Sequence, residues 1–146
     1  LVSTNLLYFV DSWEKWVAEY PGLETSTNYT DDIENGGLGD GLNNLAECAL
    51  GGDPTVDDAA SVLPKYSTSV EGGTNWLNYI YNRRVYADDI GLTYYVGSST
   101  TLLIPRNTPT EEAGVGDPVD EMESVTNRVS ADALGEQFMQ LKIQID

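Results

Sequence analysis

Between Thr30 and Glu47 the chain reads TDDIENGGLGDGLNNLAE, which places five carboxylates, three asparagines and four glycines within eighteen residues. Carboxylate and amide oxygens are hard donors, suited to hard cations rather than to nucleophilic or redox chemistry. Glycines allow the tight backbone paths that bring such oxygens to one point. Two readings are open. The run is a solvated acidic loop whose Asp-Gly and Asn-Gly steps simply make turns, or it is a cage for a divalent ion. Carboxylates packed this closely repel one another, and a divalent ion relieves that repulsion.

Spacing sharpens the second reading. A helix-flanked calcium loop takes oxygens from alternate positions, turns sharply at a glycine in the sixth, and closes with a bidentate Glu at the twelfth. With Glu47 as the closing ligand, Asp40 falls at the fifth position, Gly41 at the sixth and Asn44 at the ninth. Leu42, at the seventh, lends its backbone carbonyl while its side chain faces the core. The front half departs from this pattern. Gly36 and Leu38 stand where the first acidic ligands belong, and the carboxylates sit earlier, at Asp31, Asp32 and Glu34, so GGLG reads as an insertion. The expected ligands are therefore Asp32, Glu34, Asp40, Leu42, Asn44 and Glu47, and the expected ion is Ca2+. It tolerates irregular shells, whereas Mg2+ demands a near-octahedral one. Asp53, Asp57 and Asp58 are weighed as sources of a further ligand from the next turn.

Little else in the chain suggests catalysis. The absence of histidine removes His-dependent triads and most zinc sites. Cys48 is the only cysteine and reads as a small core residue. GGLGDG lacks the lysine of a phosphate-binding loop. Glu111–Glu112, adjacent in a Gly/Pro-rich stretch, read as solvent-exposed acids rather than a glycosidase pair. The protein is thus expected not to be an enzyme. A formal charge of −17 argues against nucleic acid or an anionic membrane surface as partner. No apolar run approaches the ~20 residues that span a bilayer. Few lysines, abundant Asn, Thr, Gly and Tyr, and the acidic bias point to an extracellular or cell-surface location.

Elements must hold the loop in place. Leu6, Phe9, Val10, Trp13, Trp16, Val17 and Tyr20 lie at helical spacing, ended by Pro21–Gly22, although Asp11 or Ser12 could cap a shorter helix. Leu42, Leu45, Ala46, Ala49 and Leu50 predict a short helix leaving the acidic loop and stopped by Gly51–Gly52. NWLNYIYNRRVY and GLTYYVGS read as the two strands of a hairpin, and NTPTEEAGVGDPVDE as a loop. Of Arg83 and Arg84, one is expected to pair with an acid inside the fold and the other to be exposed. MESVTNRVS and QFMQLKIQI read as strands, the latter with Met139, Leu141, Ile143 and Ile145 on one face. The sum is an α+β, mainly β chain in one domain. Residues 1–22 form an amphipathic arm or helix, 23–58 an acidic calcium loop with a short helix, and 60–146 a small antiparallel β-sandwich or barrel.

TDDIENGGLGDGLNNLAECALGGDP resembles the acidic calcium-binding segment, similar to thrombospondin type 3 and dockerin loops, that precedes a β-rich C-terminal module in secreted bacterial proteins. LNYIYNRRVYADDIGLTYYVGSSTTL and QFMQLKIQI resemble that module's strands. Cys48 departs from the pattern, standing where an aromatic is usual. The resemblance implies an extracellular, non-catalytic module and puts most weight on Asp40, Asn44 and Glu47 as ligands. Two functions compete. One is a structural subunit that assembles with copies of itself into an extracellular filament or surface layer, through its N-terminal arm or C-terminal strand. The other is an accessory module of a larger secreted enzyme or adhesin, binding glycan or anchoring to the cell surface.

Overall fold

Two antiparallel sheets face each other across a shared apolar layer. The computed structural model describes residues 12–23, 27–33, 38–101, 108–132 and 136–146. The strands are β1 (Lys65–Glu71), β2 (Thr74–Arg84), β3 (Leu92–Ser99), β4 (Thr108–Pro109), β5 (Glu111–Val115), β6 (Met122–Ser130) and β7 (Phe138–Ile145). One sheet has the order β1-β2-β6-β5 and the other β4-β3-β7. Tyr79 and Tyr81 from β2 and Val125 from β6 pack against Val96 of β3 and Met139 of β7. The expected α+β, mainly β architecture with antiparallel sheets is what the chain adopts. No helix among the described residues is long and apolar enough to cross a membrane.

Four short α-helices among the described residues cluster at one end: α1 (Trp13–Ala18), α2 (Asn44–Leu50), α3 (Ala59–Val62) and α4 (Ala87–Ile90). Of the two forms expected for the first helix, the shorter one is present. Ser12 caps it by accepting a hydrogen bond from the Lys15 amide, while residues 1–11 lie outside the described residues. Helix α2 ends as its sequence predicts, with Gly51 in the left-handed region at φ +82°. Trp16, Leu23, Cys48, Ala49, Ile90 and Leu92 form a second core, in which the helices pack on the ends of β3 and β7. Cys48 is wholly buried, as a core residue should be. Burial pushes its thiol up to about 11, so it stays protonated and unreactive at neutral pH.

Three expectations are corrected. The runs 75–86 and 91–98 are not a hairpin. Helix α4 intervenes, β2 joins β1 and β6, and β3 crosses to the other sheet to pair with β4 and β7. The tight turn lies one strand earlier, where Gly72 and Gly73, both at positive φ, join β1 to β2. The supposed loop around Glu111 contains β5, a fully exposed edge strand. Its acids are held by ion pairs, Glu111 to Arg128 and Glu112 to Arg83. Finally, both arginines of the Arg83–Arg84 pair bind acids. Arg83 meets Glu112 and Glu123 near the surface, and Arg84 is buried beside Glu121.

Arg84 also helps to dock α2. The last carbonyls of a helix have no partner within it, and here each finds one. The amides of Gly51 and Gly52 donate to Glu47 O, Arg84 Nε donates to Cys48 O at 2.5 Å, and Asn82 Nδ2 donates to Leu50 O. The Tyr94 hydroxyl donates to Ala49 O at 2.6 Å and accepts from the Arg84 amide at 3.3 Å. Tyr94→Phe removes that bridge and should cost about 1–3 kcal/mol in denaturant unfolding. Tyr95→Phe, at an exposed position on the same strand, should change stability by less than about 0.5 kcal/mol.

Candidate metal centre

Three carboxylates converge where the acidic loop, α2 and the start of α3 meet. Oxygens of Asp40, Glu47 and Asp58 all lie within 4.8 Å of one another. Glu47 projects from α2 and has no solvent exposure. Asp40 sits between two glycines at positive φ, Gly39 at +73° and Gly41 at +96°. Its Oδ1 accepts from the Leu42 amide at 2.9 Å, and its Oδ2 accepts from the amides of Asp58 at 3.0 Å and Ala59 at 2.8 Å. Asp40 therefore caps α3 across a long sequence separation and draws Asp58 toward Glu47. Asp58 Oδ2 accepts from the Asp53 amide at 3.0 Å, while its Oδ1 is buried and accepts no hydrogen bond from the described residues.

The surroundings are fitted to these oxygens. A Cβ at Gly52 would lie 1.7 Å from Glu47 Oε2 and 3.2 Å from Asp58 Oδ1, so only glycine leaves room for both. Burial pushes the Asp58 carboxyl above its ordinary range, and the charges of Asp40, Asp53 and Asp57 push the same way, against the opposing Asp53 amide. The ion pairs of Arg83, Arg84 and Arg128 run to Glu112, Glu123, Glu121, Glu71 and Glu111, none of which belongs to the trio.

The expected ligands divide into groups. Asp40 and Glu47 are brought together, and Asp58, weighed as an addition from the next turn, completes the trio. Leu42 faces the core, 5% exposed. Asn44 is wholly buried at the start of α2, where its Nδ2 donates to Asn28 O at 2.9 Å and its Oδ1 is also buried. Asp32 shapes the turn: its carboxylate accepts from the amides of Asp40 and Gly41, both at 3.1 Å. A Cβ at Gly39 would fall 2.2 Å from that carboxylate. The GGLG insertion thus supplies the glycine that lets Asp32 hold Asp40 in position. Glu34 lies outside the described residues. Asp53 is used locally, accepting from the amide and hydroxyl of Thr55, and Asp57 is exposed. Sequence reasoning missed Gly52, whose signal was its place in the GGDP stop directly after the Glu47 helix.

An all-carboxylate donor set suits Ca2+, Mg2+ or Mn2+ and offers nothing to soft metals. Irregular spacing across three separate elements favours the ion with the flexible shell, Ca2+. Gly52→Ala and Glu47→Gln should each weaken Ca2+ binding at least about tenfold by titration calorimetry, with Asp57→Asn changing it less than about twofold. The pH dependence has a fixed sign. Asp58 holds its proton to higher pH when folded than when unfolded, so its ionisation removes stability as pH rises through the raised value. Calcium affinity should rise over the same interval, because the ion displaces that proton. No protein-family model, curated protein or solved structure matched the chain, so the reading of this centre rests on its geometry.

Proposed function

We propose that this chain is a non-catalytic, calcium-binding extracellular structural protein, a subunit that assembles with copies of itself into a bacterial filament or surface layer. The observation that carries the calcium part is the convergence of Asp40, Glu47 and Asp58, with Glu47 wholly buried. A bound divalent ion would tie the acidic loop, α2 and α3 into one unit and seat that unit on the ends of β2 and β3. Millimolar extracellular calcium fills even a weak site of this kind. The assembly part is supported by sheets whose edge strands meet no further strand among the described residues. The C-terminal strand β7 is the edge of its sheet, as β1 and β5 are of theirs. The N-terminal arm lies outside the described residues.

Calcium at about one hundred times its dissociation constant adds ~2.7 kcal/mol to the folded state. For a chain of this size the melting temperature should rise by roughly 5–10 °C. Differential scanning calorimetry with calcium and with excess chelator tests this, and superimposed melting curves would refute it. Negative-stain microscopy at millimolar calcium tests the assembly reading, for which regular polymers are the expected result and dispersed single particles the contrary one.

A further inference from the structure

The self-assembly reading leaves open which surface copies of the chain use, and the structure singles out one edge. β5 is poorly suited to accept another strand: its pairing shifts between Glu112 and Gly114, and two glutamates stand on it. β4 is only two residues long, and β7, the other edge of that sheet, has every side chain except Gln144 at least half-buried. β1 is different. It is seven residues long, pairs with β2 in unbroken register from Lys65↔Ile80 to Glu71↔Thr74, and is exposed throughout. Its other edge pairs with no strand among the described residues.

The sequence of β1, KYSTSVE, is complementary to itself when reversed. We propose that β1 pairs antiparallel with β1 of a second copy, centred on Thr68, joining two four-stranded sheets into one continuous sheet. In that register Lys65 of each copy faces Glu71 of the other, at both ends of the contact. Tyr66 faces Val70, an aromatic against a β-branched residue, and these side chains are 53% and 72% exposed in the single chain. Ser67 faces Ser69, and Thr68 faces Thr68. Opposite charges, aromatic with β-branched, and paired hydroxyls are the cross-strand combinations that stabilise antiparallel pairs. Paired positions have like parity, so a two-fold axis normal to the sheet relates the copies and keeps both sandwiches on the same side. Glu71 already meets Arg128 through Oε2, and its second oxygen remains for the neighbour's lysine. The same reversal of β5, EEAGV, sets Glu111 against Val115 and Glu112 against Gly114, with no such match.

This deepens the self-assembly reading by naming a contact. A two-fold contact closes on itself, so a polymer would need a second surface as well. The test is sedimentation equilibrium in calcium of the full chain, Lys65→Glu, Glu71→Lys and an equimolar mixture of the two variants, with melting temperatures to show that each is folded. Each single variant places like charges opposite at both ends and should raise the dimer dissociation constant about tenfold or more. Mixing restores both charge pairs in a heterodimer and should recover wild-type association. Because Glu71→Lys also breaks the contact with Arg128, recovery in the mixture is the decisive reading. Wild-type association that survives both variants would overturn the β1 contact while leaving self-assembly through another surface intact. Dimers that never polymerise would support the β1 contact and remove the filament. A wild-type chain that stays monomeric at high concentration would overturn both.

Discussion

Burying Glu47 is the constraint around which the front of this molecule is organised. A carboxylate with no solvent exposure sits beside two others, in a chain of net charge −17. At the observed separation, two ionised carboxylates repel by roughly 3 kcal/mol at a protein-like effective dielectric. The ion pairs of Arg83, Arg84 and Arg128 all run to other carboxylates. The fold spends its backbone amides on Asp40 and Asp58 and keeps a glycine where any side chain would push the Glu47 carboxylate away. A divalent cation is the counter-charge that such an arrangement accommodates most directly.

Helix α2 carries this constraint into the sheets. One of its side chains enters the acidic trio, and its terminal carbonyls are taken by Arg84, Asn82 and Tyr94 from β2 and β3. Cys48 and Ala49 on the same helix fill the second core. Through a helix of two turns the carboxylate cluster and the β-sandwich therefore share one mechanical joint. Tyr94 touches both cores, stacking near Tyr81 on one side and packing with the helical residues on the other.

Much of this was legible from residue order, and the failures have identifiable physical causes. The helix after the acidic loop, its glycine stop, the alternating final strand and the buried Cys48 followed from periodicity and turn chemistry. The convergence of the Asp40 and Glu47 carboxylates was expected from their spacing. β1 and β5 were not legible, because KYSTSVE and EEAGV lack an apolar face. They are edge strands held by ladder hydrogen bonds and surface ion pairs rather than by burial. The supposed hairpin failed because turn residues show that the chain reverses but not which sheet it enters afterwards. Residue order expected one of Arg83 and Arg84 to pair inside the fold and could not say which, because the partners of Arg84, the Cys48 carbonyl and Glu121, are distant in sequence. The turn-holding role of Asp32, whose oxygens accept from the amides of Asp40 and Gly41, was not legible because it depends on a backbone path that spacing does not show.

The most direct test of the calcium centre is anomalous diffraction from crystals grown with Ca2+ and collected at a long wavelength. The account predicts a peak enclosed by the carboxylates of Asp40, Glu47 and Asp58, at about 2.3–2.6 Å from the coordinating oxygens. A map with no anomalous signal among these three side chains, in crystals saturated with calcium, would contradict it.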